Sequence, residues 1–220
     1  MKLMKAKINP TLINRIFLTH LHIDHSLEFP SLVFGNCLLG KKDKMNIYGP
    51  SGILDFYRNI FTTYPYERDL MPSLRRGEFE AIPHETNGGP VCHTENYQVF
   101  SVPGDHGIPS VAYRIEASDG IVVISGDTRP SKALIELAKG ADLLVHECSF
   151  PDDMIEIARM TGHSVPAETG RVAKAAGVGK VVLTHLLQPC KGREEEIVKS
   201  INTEFDGEVV IGRDFLEIII

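Results

Sequence analysis

The sequence predicts an α/β protein built from layered, mixed sheets. Three observations point there. Short apolar runs alternate with helix-period stretches through the second half of the chain, which is the pattern of strands covered by packed helices. Two of those runs are joined by Ser118-Asp119-Gly120, a hairpin turn, so at least one strand pair is antiparallel. The chain has 220 residues, 43% of them hydrophobic, which suits one domain with a sizeable core. No repeat, low-complexity tract or linker interrupts it, and residues 1–220 are expected to form a single domain.

The apolar runs place strands over 14–18, 45–48, 97–102, 110–116, 121–125, 141–146, 180–184, 208–211 and 214–220. Helices are predicted over 30–39, 50–61, 131–139, 151–160, 166–176 and 193–203. Pro30 lies early in its helix and Gly40 follows the last turn. Ser164-Val165-Pro166-Ala167-Glu168 reads as a helix start, with Ser164 as cap and Pro and Glu in the first turn. Ala173, Ala175 and Ala176 favour that helix and Gly177 ends it. Segment 62–96 has prolines, paired glycines and little periodicity, and is expected to be mostly loop.

Composition excludes several classes. No run of about 18 apolar residues occurs, so no membrane span is expected. Met1-Lys2-Leu3-Met4-Lys5 carries charge without a following apolar core, unlike a secretory signal. Cys37, Cys92, Cys148 and Cys190 form no C-x-x-C pair, which argues against a disulfide framework or a thiolate zinc site and for a reducing, cytoplasmic setting. The net charge of −6, with a pI near 5.8, gives little general attraction to nucleic acid. Lys41-Lys42 with Lys44, and Arg75-Arg76, read as solvated faces, with a local phosphate patch as the alternative.

The chemistry concentrates at Thr19-His20-Leu21-His22-Ile23-Asp24-His25, directly after the apolar run Arg15-Ile16-Phe17-Leu18. Three imidazoles and a carboxylate on one short piece of backbone are donors that zinc prefers. One tetrahedral ion could not comfortably take all four, whereas two neighbouring ions could share them. Further donors end later strands: His106 in Pro103-Gly104-Asp105-His106-Gly107, Asp127 in Ser125-Gly126-Asp127-Thr128, His146 and Glu147 after Leu143-Leu144-Val145, and His185 after Val181-Val182-Leu183-Thr184. Strand ends are where a layered α/β domain gathers its site.

The order T-H-L-H-I-D-H, G-D-H-G, S-G-D-T, G-H-S, L-T-H resembles the metallo-β-lactamase superfamily. H-G-I-P-S-V-A-Y-R-I-E, S-G-D-T-R-P and L-L-V-H-E-C-S-F bring it nearest to the ribonuclease Z-like branch, from about Ile13 to His185. The resemblance implies a four-layer αββα sandwich with two zinc ions at one edge of its sheets. It assigns His20, His22 and His106 to the first ion, Asp24, His25 and His185 to the second, and Asp127 as the bridge. Manganese or iron could replace zinc at such donors. It also matches Glu147 and His163 to a pair near the leaving group, with His163 as proton donor and Glu147 orienting it; Asp24 joins them as a catalytic candidate. His84 and His93 are expected at the surface, and His146 in a supporting or packing role.

Three departures from the branch bear on function. Only 19 residues precede His20, too few for the usual N-terminal strand hairpin, whose absence would open a sheet edge to a homodimer contact. About 20 residues separate His106 from Asp127, leaving no room for the arm that grips transfer RNA in many members. After His185 the chain reads Leu186-Leu187-Gln188-Pro189-Cys190, where the branch often has an Arg and an aromatic. The expected function is hydrolysis of phosphodiesters, with RNA disfavoured by charge. The alternatives are a small-ester hydrolase of arylsulfatase or lactonase type, and a non-catalytic metal-binding protein.

Overall fold

The computed structural model describes residues 2–63 and 79–220, and the chain divides into two compact units, Met1–Thr86 and Asn87–Ile220. Arg75-Arg76 lies outside the described residues.

The first unit runs α1 (Lys2–Lys5), a 3₁₀ turn (Pro10–Leu12), β1 (Arg15–Phe17), α2 (Ile23–Ser26), α3 (Glu28–Leu38), β2 (Met45–Gly49), α4 (Ile53–Thr63) and β3 (Ala81–Glu85). Its three strands are parallel in the order β1-β2-β3. Met45, Ile47 and Gly49 are buried while Asn46 and Tyr48 are half-buried, the period of two that turns one strand face to the helices. Met45 and Ile47 pack with Phe29 and Val33 of α3 and Ile53 and Ile60 of α4. A Cβ at Gly49 would meet the Ile53 side chain at 3.0 Å, so glycine lets α4 sit down on the strand. α3 starts two residues earlier than predicted, with Pro30 in its first turn, where a missing N–H costs no helical bond.

Two expectations are corrected in this unit. Lys41 is not on a solvated face: it is 5% exposed, and its Nζ donates to Thr11 O and Asn14 Oδ1, so burial lowers its pKa. His84 is not a loose surface residue: it stacks on Tyr48 at 4.9 Å, and its Nε2 lies 2.8 Å from Asn46 Oδ1.

The second unit comprises β4 (Gly89–His93), β5 (Tyr97–Pro103), β6 (Val111–Ala117), β7 (Gly120–Ile124), α5 (Lys132–Ala138), β8 (Leu143–Glu147), α6 (Ile155–Thr161), α7 (Pro166–Ala176), β9 (Lys180–Thr184), α8 (Glu194–Asn202) and β10 (Glu208–Ile211). Its seven strands are ordered β10-β9-β8-β7-β6-β5-β4. The β10-β9-β8-β7 pairs are parallel, and the β7-β6-β5-β4 pairs are antiparallel. Ala117 pairs with Gly120, so Ser118-Asp119 closes the predicted hairpin. Val123, Leu144, Val181 and Leu183 form a core with Leu134 and Leu137 of α5, Val172, Ala173 and Ala176 of α7, and Ile197 and Ile201 of α8. Pro166 opens α7, and Gly177, at φ +63°, caps it.

Of the predicted loop segment 62–96, residues 64–78 lie outside the described residues, and the described part contains β3 and β4. Pro83 and Pro90 hid them. β3 pairs only with β2 and β4 only with β5 among the described strands, and an edge strand tolerates a missing N–H. Conversely, 214–220 forms no strand: Leu216 N–H donates to Arg213 O in a turn, Phe215 has φ +64°, and Ile219 is 93% exposed.

Candidate metal centre

In the first unit, β1 leads into a tight cluster of donors. Leu18 N–H continues the sheet to Tyr48 O at 2.8 Å, and His20 follows, fully buried. His22 sits at the start of α2, where its carbonyl accepts from the backbone of His25 and Ser26 and from Ser26 Oγ. That turn folds the three imidazoles together: the His20 ring lies 4.9 Å from His22 and 4.0 Å from His25. His25 Nε2 is 3.4 Å from Asp24 Oδ2. His20, His22, Asp24 and His25 are thus gathered by local structure, as their spacing predicts.

The second unit gathers His106, Asp127, Glu147, His163 and His185 from five separate strand or helix ends. Ligand atoms of His106, Asp127 and His163 lie within 4.8 Å of one another, and so do those of Glu147, His163 and His185. His106 Nδ1 meets Gly162 O at 2.8 Å; a carbonyl only accepts, so that nitrogen carries the proton and Nε2 keeps its lone pair. His185, at φ +55°, bends back from the end of β9, a left-handed geometry uncommon for residues other than glycine and often found at functional sites. Its Nε2 lies 3.4 Å from Asp127 Oδ2. Asp127 is 3% exposed, its carbonyl accepting from Ser110 Oγ.

Glu147 is the hub. It is fully buried at the end of β8, and donors surround it: Thr128 N–H and Ser164 N–H reach Oε1 at 3.0 and 3.2 Å, and Ser149 N–H and Oγ reach Oε2 at 3.1 and 2.7 Å. His163 Nδ1 is 3.0 Å from Oε1. Beside it, His146 is fully buried, with its pKa lowered by burial. Burial also raises the thiol pKa values of Cys148 and Cys190, and Cys190 Sγ donates to Ser149 O at 3.4 Å, tying the loop after His185 to the end of β8.

The beta-lactamase superfamily domain model matches residues 3–186. The chain belongs to the beta-lactamase superfamily. A ribonuclease Z from Ignicoccus hospitalis is 31% identical over 221 residues, covering 84% of this chain and 74% of that protein. A ribonuclease Z from Methanosarcina acetivorans is 29% identical, covering 99% and 84%. That alignment spans 266 positions against 220 residues here, so the relative carries segments this chain lacks. Among solved structures, the short form of human tRNase Z superposes with a TM-score of 0.76 at 26% identity, covering 99% of this chain and 83% of that one. A metallo-β-lactamase fold protein from Bacillus subtilis gives 0.77 at 24%, covering 96% and 79%, a likeness of fold. The chain is a superfamily member of the ribonuclease Z-like branch, with its α/β class and mixed sheets.

A superfamily member of this kind uses divalent metal, and the donor chemistry of the second unit fits one. With a proton on His185 Nδ1, Nε2 and Asp127 Oδ2 face each other at 3.4 Å as two lone-pair donors, an arrangement that a cation stabilises. Sequence reasoning missed Ser149, Thr128 and Gly162 as parts of this network. They flank the motifs, but their contacts span up to 56 residues and leave no local signal. Ser164 is also corrected: Val165 is the cap residue of α7, and Ser164 Oγ instead donates to Thr128 O.

Proposed function

We propose that this chain hydrolyses phosphodiesters with two divalent cations, zinc by preference of its imidazole and carboxylate donors. The ligand assignment is that of the resemblance: His20, His22 and His106 for one cation, Asp24, His25 and His185 for the other, and Asp127 shared. The observation that carries the reading is His163, with Nδ1 anchored 3.0 Å from the buried Glu147 carboxylate and 3.9 Å from Asp127 Oδ2. When bound, the cations supply Lewis acidity toward a phosphoryl oxygen and lower the pKa of water. The chain supplies the rest. Glu147 holds His163 Nδ1–H, so Nε2 is the atom that delivers a proton to the leaving oxygen. Asp24 and Asp127 would offset the positive charge of the cations they help to hold.

The substrate is a compact diester. β6 and β7 are joined by two residues, so the His106–Asp127 interval holds no arm, and the net charge is −6. RNA, which the relatives' name implies, is the second reading. One family model runs across both units, which supports a single working domain. The four free cysteines support a reducing, cytoplasmic setting. β1 has no strand beyond it among the described residues, which supports self-association at that edge, testable by sedimentation.

The deciding experiment compares metal-loaded protein on bis-p-nitrophenyl phosphate, an aryl sulfate, a lactone and a precursor transfer RNA. Turnover of the diester above the others is the expected result. Faster sulfate or lactone turnover transfers the chain to the small-ester class, and two metals bound with no turnover of any substrate makes it a binding protein.

A further inference from the structure

Ser149 touches both Glu147 and His185 through a single hydroxyl. Its hydroxyl lies 2.7 Å from Glu147 Oε2, 2.8 Å from His185 Nδ1 and 3.1 Å from His163 Nδ1, and the residue is fully buried. A hydroxyl has one proton and two lone pairs. The Glu147 oxygens are met by backbone N–H groups, which only donate, so the carboxylate accepts and the Ser149 proton goes to Oε2. Both lone pairs of Ser149 Oγ then face the imidazoles. His185 Nδ1 at 2.8 Å must carry a proton, or two lone pairs would collide in a buried site. His163 Nδ1 is held the same way and shares its proton with Glu147 Oε1 at 3.0 Å.

We propose that Ser149 is a positioning residue that locks the His185 tautomer, relaying the fixed polarity of Glu147 so that the Nε2 lone pair is presented toward Asp127. This deepens the proposed function and rests on it for the identity of His185 as a ligand. The consequence is physical coupling between two jobs. One carboxylate orients the proton donor His163 directly and a ligand-type imidazole through a single hydroxyl. His106 receives the equivalent lock from the Gly162 backbone carbonyl, whereas the lock on His185 depends on one side chain. Partners of this kind typically set metal affinity by about 10- to 100-fold.

The test reads the tautomer directly, by ¹⁵N-detected imidazole NMR on metal-free protein, with cobalt and zinc affinity measured by competition with a chelating dye. Wild type is expected to show Nδ1–H at His185. Ser149→Ala, which only removes an atom, is expected to shift His185 toward Nε2–H and to weaken metal binding about 10- to 100-fold. Ser149→Thr, which keeps the hydroxyl, is expected to restore both. An unchanged His185 tautomer in Ser149→Ala, with affinity within twofold of wild type, overturns the proposal. A wild-type chain that takes up no cation overturns the proposed function instead, and the tautomer measurement still decides the role of Ser149.

Discussion

His146 stands one position before Glu147, yet the two meet opposite treatment from the same fold. The backbone N–H groups of Thr128, Ser149 and Ser164 are aimed at the Glu147 carboxylate, while His146 is fully buried with Nδ1 donating to Glu147 O at 2.6 Å and Nε2 lacking a hydrogen-bond partner. Burial therefore lowers its pKa and keeps it neutral in the folded state. On unfolding it regains an ordinary value near 6.5, so below that pH the unfolded chain binds the extra proton. The stability at stake is present above about pH 6.5 and lost as pH falls, at up to about 1.4 kcal/mol per pH unit. His146→Asn keeps a donor toward Glu147 O and removes the titration. Urea unfolding of metal-free protein at pH 7.5 and 5.5 should show a shallower loss in the variant; equal losses would show that His146 is not the group responsible. The two candidate chemical residues separate by a different readout. His163→Ala should retain metal and lose about 10²- to 10⁴-fold in kcat, the usual worth of acid catalysis. Asp127→Ala should lose both metal and turnover, and full occupancy in that variant would remove its shared role.

At the scale of elements, the end of α6 does more than stop a helix. Gly162 adopts φ +85° as its C-cap, and its carbonyl accepts from His106 Nδ1. A Cβ there would lie 2.8 Å from that nitrogen. Gly162→Ala is therefore expected to cost about 1–2 kcal/mol for the left-handed backbone and to displace His106, with metal affinity falling about 10- to 100-fold. Thermal unfolding and dye competition measure the two effects, and a destabilised variant with wild-type affinity would confine Gly162 to capping. The same scale explains which elements could be read in advance. β9, β10 and α7 match their predicted bounds because an apolar run or a Pro–Gly pair marks each end. β3 and β4 were hidden by Pro83 and Pro90, whose tolerance depends on an edge position that only sheet order reveals.

For the whole molecule, cation binding and folding should be linked. The donors of the second unit come from positions scattered between His106 and His185, so an unfolded chain offers no comparable cluster. Metal at about 100 times its dissociation constant adds about 2.7 kcal/mol. Treatment with a chelator should lower Tm and abolish turnover, and added zinc should restore both; a Tm indifferent to metal would argue against resident cations. The acidic net charge acts at this scale too. Hydrolysis of a small diester should be nearly insensitive to salt, whereas a steep loss between 50 and 200 mM salt would mark a polyanionic RNA substrate.

The order of residues by itself determined the donor inventory. His20, His22, Asp24 and His25 share one turn, so local backbone geometry alone brings them together. It also marked His106, Asp127, Glu147 and His185 by their place at strand ends, because strands that alternate with helices bring their ends to a common rim. Only the tertiary structure decided how those donors are held. The carbonyl of Gly162 fixing His106, the hydroxyl of Ser149 between Glu147 and His185, and the burial that keeps His146 neutral all join atoms or surroundings distant along the chain. Hydrogen-bond direction depends on which atoms end up within about 3 Å of each other, and packing sets that distance.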